Sequence, residues 1–328
     1  MKEKVLVTGA NGLLGAHLVR QLLRDGYRVK AMVRKNYNPV TLLGVKCELF
    51  IGDITNEADL YRGVSDCDYV IHSAANTSQA SSEFKAFKQV NMDATNQLIQ
   101  ACKEYNIKRF VFVSTANCFT NGALENPGHE ESVFMTWLTE SNYAYSKFLA
   151  QTEVLREVKD HAFPAIIVNP TFMLGAYDSK PSSGKLLLYA VKNRILFYPS
   201  GGKSFVDVEK VAKSISYSLN HGLNGQCYLL AGENMTYRQF FKRIGKVTGK
   251  KKILIPIPRK VLLGIGQFVN LLQRYFSISL PLNTVNAKLL CLDNYYSNHK
   301  AKQSLALDKM EIDSSINAAL TWFKQNNY

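Results

Sequence analysis

Short runs of β-branched and aliphatic residues alternate with longer stretches of helical period through the first two-thirds of the chain. The short runs, at 4–8, 28–33, 47–52, 69–72, 109–114 and 165–169, predict strands; the longer ones, at 13–24, 84–105 and 143–159, predict helices. Alternation of this kind implies βαβ units, hence a parallel sheet with helices on both faces. A ligand of such a sheet sits beyond the carboxyl ends of the strands, where strand order reverses. The residues just after each strand are therefore the ones to read.

Beyond Pro170 the pattern loosens. Residues 176–204 carry Gly, Pro and Ser, 205–241 return to strand and helix patterns that could rejoin the main sheet, and a terminal helix ends near Trp322. This predicts a smaller, partly interleaved second domain with no clean linker. Within it, 261–276 carries an apolar stripe of Val261, Leu262, Ile265, Phe268, Val269 and Leu272 beside Arg259, Lys260 and Arg274. Two readings compete: a helix facing the core of the small domain, or a lid or membrane-surface helix. The first is adopted, so no membrane contact is expected.

Composition narrows the classes. No apolar run reaches the roughly 20 residues of a spanning helix, and the chain opens on a strand-like run, so it reads as cytoplasmic. Six scattered cysteines form no metal-ligand pattern, so no metal is expected. A formal charge of +14 raises the question of nucleic acid. Its densest cluster, Lys242, Arg243, Lys246 and Lys250 to Lys252, lacks any accompanying nucleic-acid motif, so none is expected to bind. A solvated basic face that attracts an anionic cofactor is the expectation instead.

The chemistry starts at the first strand. Thr8-Gly9-Ala10-Asn11-Gly12-Leu13-Leu14-Gly15 puts three glycines between a strand and a helix. Gly9 permits the tight turn, Gly12 lets the backbone approach a pyrophosphate, and Gly15 permits close helix–strand packing, with the helix N-terminus facing the phosphates. Residues 1–175 are thus expected to form a Rossmann-type dinucleotide-binding domain, a doubly wound parallel sheet to which 205–241 contribute. Residues 176–204 and 242–328 are left as the substrate-binding region. The second strand ends in Val33-Arg34-Lys35, with no acid. A carboxylate there would repel a ribose 2′-phosphate, whereas a guanidinium binds one, so NADP is favoured over NAD.

The pattern TGxxGxxG, in a chain of 328 residues, resembles the extended short-chain dehydrogenase/reductase family. The resemblance implies further contacts. Asp53 and Ile54 would face the adenine, and Ser73, Ala74 and Ala75 after His72 would let the cofactor lie close. Asn91 would position neighbouring elements, and Pro170 and Thr171 would meet the nicotinamide carboxamide. Thr8, Asn11 and Leu13 belong to the same phosphate turn.

Tyr143 and Lys147 are four residues apart in a helical pattern, so they share a face. A tyrosine ionises near pH 10; a nearby ammonium and an oxidised nicotinamide would both favour its phenolate. Tyr145 lies two residues from Lys147 and faces elsewhere. By resemblance, Thr115, in Val113-Ser114-Thr115, would hydrogen-bond the reacting oxygen. Among family members the chain looks most like dihydroflavonol-reductase and 3β-hydroxysteroid-dehydrogenase relatives. Nucleotide-sugar epimerases usually carry Arg two residues before the aromatic of a Phe-Val-Asp-Val-like segment; this chain has Lys203. The expectation is an NADP-dependent oxidoreductase acting on a carbonyl or secondary alcohol, with Tyr143 as acid/base and a homodimer built on helices 84–105 and 143–159. The alternatives are a nucleotide-sugar epimerase or dehydratase, and a non-catalytic NADP-binding protein.

Overall fold

A computed structural model describes residues 2–78, 83–276, 282–309 and 311–328, with only the backbone at 273, 274 and 276. Strands β1 (Lys4–Thr8), β2 (Arg28–Val33), β3 (Glu48–Ile51), β4 (Tyr69–His72), β5 (Arg109–Val113) and β6 (Ala165–Pro170) lie in one parallel sheet. Its order is β3, β2, β1, β4, β5, β6, and then the strand Cys227–Leu230, which pairs parallel with β6. Order reverses between β1 and β4, so the carboxyl ends Thr8 and His72 open side by side.

Every residue of β1 is buried because both sheet faces are covered. Alternation sends Val5 and Val7 to one face, where they pack with Leu14, Leu18 and Leu22 of the helix α1 (Leu13–Arg24) and with Val211 and Ile215. Leu6 goes to the other face, among Leu60, Leu98, Phe110, Phe112 and Val154. The expected helix 84–105 is three pieces: one turn at Phe84–Phe87, a wider π-helical stretch at Lys88–Asp93, and a regular helix Ala94–Glu104. The widened stretch contains Asn91, whose side chain is held by partners outside the helix.

The second lobe has its own core of Leu174, Leu196, Phe205, Phe240, Ile316, Trp322 and Phe323. There Gly202–Asp207 pairs antiparallel with Glu233–Thr236 and parallel with Phe172–Leu174 and Asp293–Asn294. The helix Val208–Tyr217 returns to the main sheet, contributing Val211 and Ile215 to the core beneath α1. Of the 205–241 stretch, only this helix and Cys227–Leu230 join the main sheet's layers. The helix Arg259–Phe276 buries Leu262 and Val269 but leaves Val261, Ile265 and Phe268 exposed, so only part of the expected stripe is covered.

Gly232 is the joint where the chain leaves Cys227–Leu230 for the small sheet. A Cβ there would lie 1.9 Å from the Phe205 carbonyl oxygen, so backbone would have to move. Gly232→Ala should lower the unfolding free energy by at least about 1–3 kcal/mol, the usual cost of overpacking. Chemical denaturation measures it; an unchanged midpoint would show that the joint has slack.

Candidate active site

The glycine turn closes against the end of β4. Gly9 adopts φ +68°, and a Cβ on it would meet the Ala74 backbone at 2.8 Å. Gly15 sits tighter still: its Cβ would lie 2.1 Å from the Gly9 carbonyl oxygen. Gly12 faces open space apart from that oxygen, so its surface is free for a ligand to approach. The turn holds its shape through Gly12 N–H donating to Gly9 C=O at 3.0 Å. Asn11 accepts from Thr41 Oγ1 through its carbonyl, and Leu13 begins α1.

Thr8 anchors this meeting point. Its Oγ1 accepts from the Ala74 N–H (3.2 Å) and lies 2.8 Å from His72 Nδ1, while Ser73 Oγ donates to the Thr8 carbonyl (2.6 Å). On the other side, Thr95 Oγ1 donates to the Asn91 carbonyl, so His72 Nε2, 3.1 Å away, must be the donor to Thr95. The network assigns a neutral histidine with its proton on Nε2. Burial, with some repulsion from Lys147, pushes the His72 pKa down to about 3. His72 therefore braces the turn and does not titrate near neutrality.

At the other end of the cleft, Arg34 is exposed immediately after β2 and forms no ion pair among the described residues. Asp53, two residues past β3, accepts from the Thr55 N–H and hydroxyl through Oδ1, which fixes the turn that carries Ile54. Ala75, also half-buried, follows the two residues held by Thr8.

Tyr143 and Lys147 open the helix Asn142–His161, whose first turn is capped by Ser141 Oγ accepting from the Ala144 N–H. Lys147 is buried. Its Nζ donates to the Val113 carbonyl at 2.7 Å and lies 4.1 Å from the centre of the Phe112 ring, with no carboxylate partner among the described residues. Burial pushes its pKa down to about 7. The Thr115 side chain favours the Tyr143 phenolate, but burial outweighs it and raises the pKa to about 12. The phenol thus keeps its proton near neutrality, and Lys147 donates to the Val113 carbonyl. Tyr145 packs against Phe84 and Phe134 instead.

Three braces hold this set. Asn91 Nδ2 donates to the Asn76 carbonyl and to Ser146 Oγ, while its Oδ1 accepts from the Asn76 N–H, tying the loop after β4 to the Tyr143 helix. Asn169 Nδ2 donates to the Thr115 carbonyl (2.9 Å) and to Gln151 Oε1 (2.7 Å). Thr171, next to the buried Pro170, donates its N–H to the Leu230 carbonyl. Sequence reasoning missed Gln151 and the Asn169 side chain. The signal was available for Gln151, one turn beyond Lys147 on the same face.

Comparisons bear on this geometry. A profile described as the NAD dependent epimerase/dehydratase family matches residues 5–231. The chain belongs to that family. Family relatives include a Synechocystis sp. protein named for dihydroflavonol 4-reductase, 27% identical over 100% of this chain and 96% of its own. Sterol demethylase protein B of Methylococcus capsulatus is 25% identical over 98% of both chains. The solved structure of gox2253 superposes with TM-score 0.88 at 25% identity, covering 99% of each chain. As a family member the chain is a nicotinamide-dependent enzyme of the extended short-chain type, the oxidoreductase class to which its named reductase and dehydrogenase relatives belong.

The residues present fit a dinucleotide. Gly9 and Gly15 pack where a Cβ would clash, Gly12 leaves its face open, and Asn169 Oδ1 is buried with no partner among the described residues, one residue before Pro170. The lowered lysine gives a stability test. An unfolded chain holds the Lys147 proton up to about pH 10.5, the folded one only to about 7. Below pH 7 the group's full penalty is present, and stability rises with pH between those values. Lys147→Met should therefore stabilise the cofactor-free protein at pH 6 by on the order of 2–4 kcal/mol, the gain shrinking toward pH 10. Urea titrations across pH check it; a variant less stable than wild type at pH 6 would contradict it.

Proposed function

We propose that the protein is an NADP-dependent oxidoreductase that reduces an apolar carbonyl compound, with Tyr143 as proton donor. The observation that carries this reading is the placement of Tyr143 and the buried Lys147 in the first two turns of one helix, with Lys147 Nζ on the Val113 carbonyl at the end of β5, two residues before Thr115. The nicotinamide group supplies the hydride when bound. The chain's own residues do the rest: Thr115 and Tyr143 hold the substrate oxygen and Tyr143 transfers its proton to it, while Lys147 holds the ribose. Thr8, Gly9, Asn11, Gly12, Leu13 and Gly15 cradle the pyrophosphate, and Arg34 receives the 2′-phosphate. Asp53 and Ile54 meet the adenine, with Ser73, Ala74, Ala75, Pro170 and Thr171 lining the rest.

Support for the substrate class comes from named relatives. Sterol-4-alpha-carboxylate 3-dehydrogenase of Dictyostelium discoideum is 25% identical over 90% of this chain, and 2-alkyl-3-oxoalkanoate reductase of Stenotrophomonas maltophilia 24% over 92%. Both names denote oxidoreductions on carboxylates that carry a large hydrocarbon part. The epimerase reading is favoured by solved neighbours such as a nucleoside-diphosphate-sugar epimerase from Pseudomonas aeruginosa, but at 22% identity that likeness is one of fold. Lys203 weighs against it. This single cation stands over the Phe172 ring, and burial pushes its pKa down to about 8, a poorer diphosphate clamp than a bidentate guanidinium. A homodimer in the cytoplasm completes the proposal.

One kinetic experiment tests the reading. With a panel of 3-oxo acids and apolar ketones, NADPH consumption should be lost by about 10²–10⁴-fold in Tyr143→Phe, with NADPH affinity nearly intact. In Arg34→Ala the preference for NADPH over NADH should fall by about tenfold or more. Residual activity within a few fold of wild type in Tyr143→Phe would identify another proton donor. An unchanged cofactor preference in Arg34→Ala would remove the basis for NADP.

A further inference from the structure

The small lobe has a second apolar face that its core does not use. Ile195–Tyr198 and Ile253–Pro256 form a two-stranded parallel sheet with Ile195 opposite Ile253 and Phe197 opposite Ile255. Paired residues of parallel strands point the same way, so these four side chains make one surface. The other surface, with Leu196, Tyr198 and Leu254, packs into the lobe's core. The outer four are all exposed, Phe197 by 52%. A sheet with water on one face ordinarily alternates apolar with polar residues; this one is apolar on both.

Two residues after the second strand, the helix Arg259–Phe276 repeats the feature. Leu262, Gly266 and Val269 face the helix Thr284–Leu290, where a Cβ on Gly266 would touch Ala287 at 2.9 Å. Val261, Ile265, Phe268, Leu271 and Tyr275 follow helical spacing on a separate stripe and are exposed, Phe268 by 60% and Tyr275 by 74%. Monomeric proteins seldom leave so many large apolar side chains on neighbouring elements in water.

The charge around this face selects its occupant. Residues 234–292 contain eleven Lys or Arg and no Asp or Glu, and 179–206 a further five and none. These two stretches carry more than the chain's whole formal charge of +14. Lys192 and Arg194 lead into one strand, Lys250 and Lys251 lead toward the other, and Arg259 and Lys260 begin the helix, all exposed. Among the described residues none of these six is in an ion pair. A second copy of the same face would set these cations against themselves. Nucleic acid would meet the charge but offer nothing to Ile195, Ile253, Ile255, Val261, Ile265 and Leu271, since its base-stacking partners are aromatic.

We propose that this face is a peripheral membrane-binding surface for an anionic bilayer: Phe197, Ile253, Ile255, Ile265 and Phe268 enter the headgroup–acyl boundary while the flanking lysines and arginines meet lipid phosphate. The proposal departs from the expectation of no membrane contact because, of the stripe the sequence marked, Leu262 and Val269 are buried while Val261, Ile265 and Phe268 are exposed.

Sedimentation of the full chain with phosphatidylcholine vesicles, with or without about one-third phosphatidylglycerol, tests the proposal. The protein should pellet with the anionic vesicles at least about tenfold more strongly than with the neutral ones, and less so as salt is raised. Lys250→Glu with Lys251→Glu should weaken binding by about tenfold or more, and Phe197→Ser with Phe268→Ser by several fold, with thermal midpoints near wild type. Wild-type protein left in the supernatant with anionic vesicles at low salt would overturn the proposal without use of any variant. So would binding that neither pair of substitutions changes, or a dimer in vesicle-free sedimentation that Phe197→Ser with Phe268→Ser dissolves. Duplex DNA bound more tightly than the vesicles would assign the charge to nucleic acid and overturn it too.

Discussion

The arrangement of this protein turns on one buried ammonium. Lys147 lies in the interior beneath the ends of β4 and β5, held by one backbone carbonyl and one aromatic ring, with no carboxylate among the described residues to neutralise it. A lone cation there is costly, and its surroundings are arranged to tolerate it. His72, which feels the Lys147 charge, is held neutral between two threonines. The Tyr143 phenol keeps its proton. Around this core, three asparagine or glutamine side chains fix the relative positions of β5, β6, the loop after β4 and the Tyr143 helix. Polar but uncharged braces hold geometry without answering the cation, and an anionic ligand with ribose hydroxyls can do so.

How much of this the sequence reveals depends on the range of the interaction. Strands β1, β2 and β4 and the helix α1 have the limits that hydrophobic period gives them, because each is packed by its own alternation. The glycine turn is equally readable, since the positive φ of Gly9 and the clash at Gly15 against the Gly9 carbonyl are local. The π-helical stretch at Lys88–Asp93 is not readable from period: Asn91 is drawn to Asn76 and to Ser146, 55 residues on. The strand Gly202–Asp207 finds partners more than 25 residues away on either side, which local pattern cannot specify. The helix Arg259–Phe276 shows another limit, because periodicity marks apolar positions without saying which of two stripes meets protein.

The two lobes divide the chemistry. The parallel sheet carries the glycine turn, the buried His72 and the Tyr143 and Lys147 helix at its carboxyl end. The small lobe carries nearly all the unbalanced positive charge and the exposed apolar surface. An enzyme whose substrate is apolar gains from such a division, because the lobe that borders the substrate region also faces the phase in which such a compound dissolves.

The central claim is that Lys147 is the buried cation that cofactor binding completes, and calorimetry of NADPH binding at pH 8 in two buffers of different ionisation enthalpy tests it most directly. With its pKa near 7 in the free protein, Lys147 is mostly unprotonated at that pH, and an anionic partner that favours the ammonium must draw in a proton. Wild type should take up about half a proton or more per site, and Lys147→Met none attributable to this position. NADPH binding with no proton exchange, or with the same uptake in Lys147→Met, would contradict it.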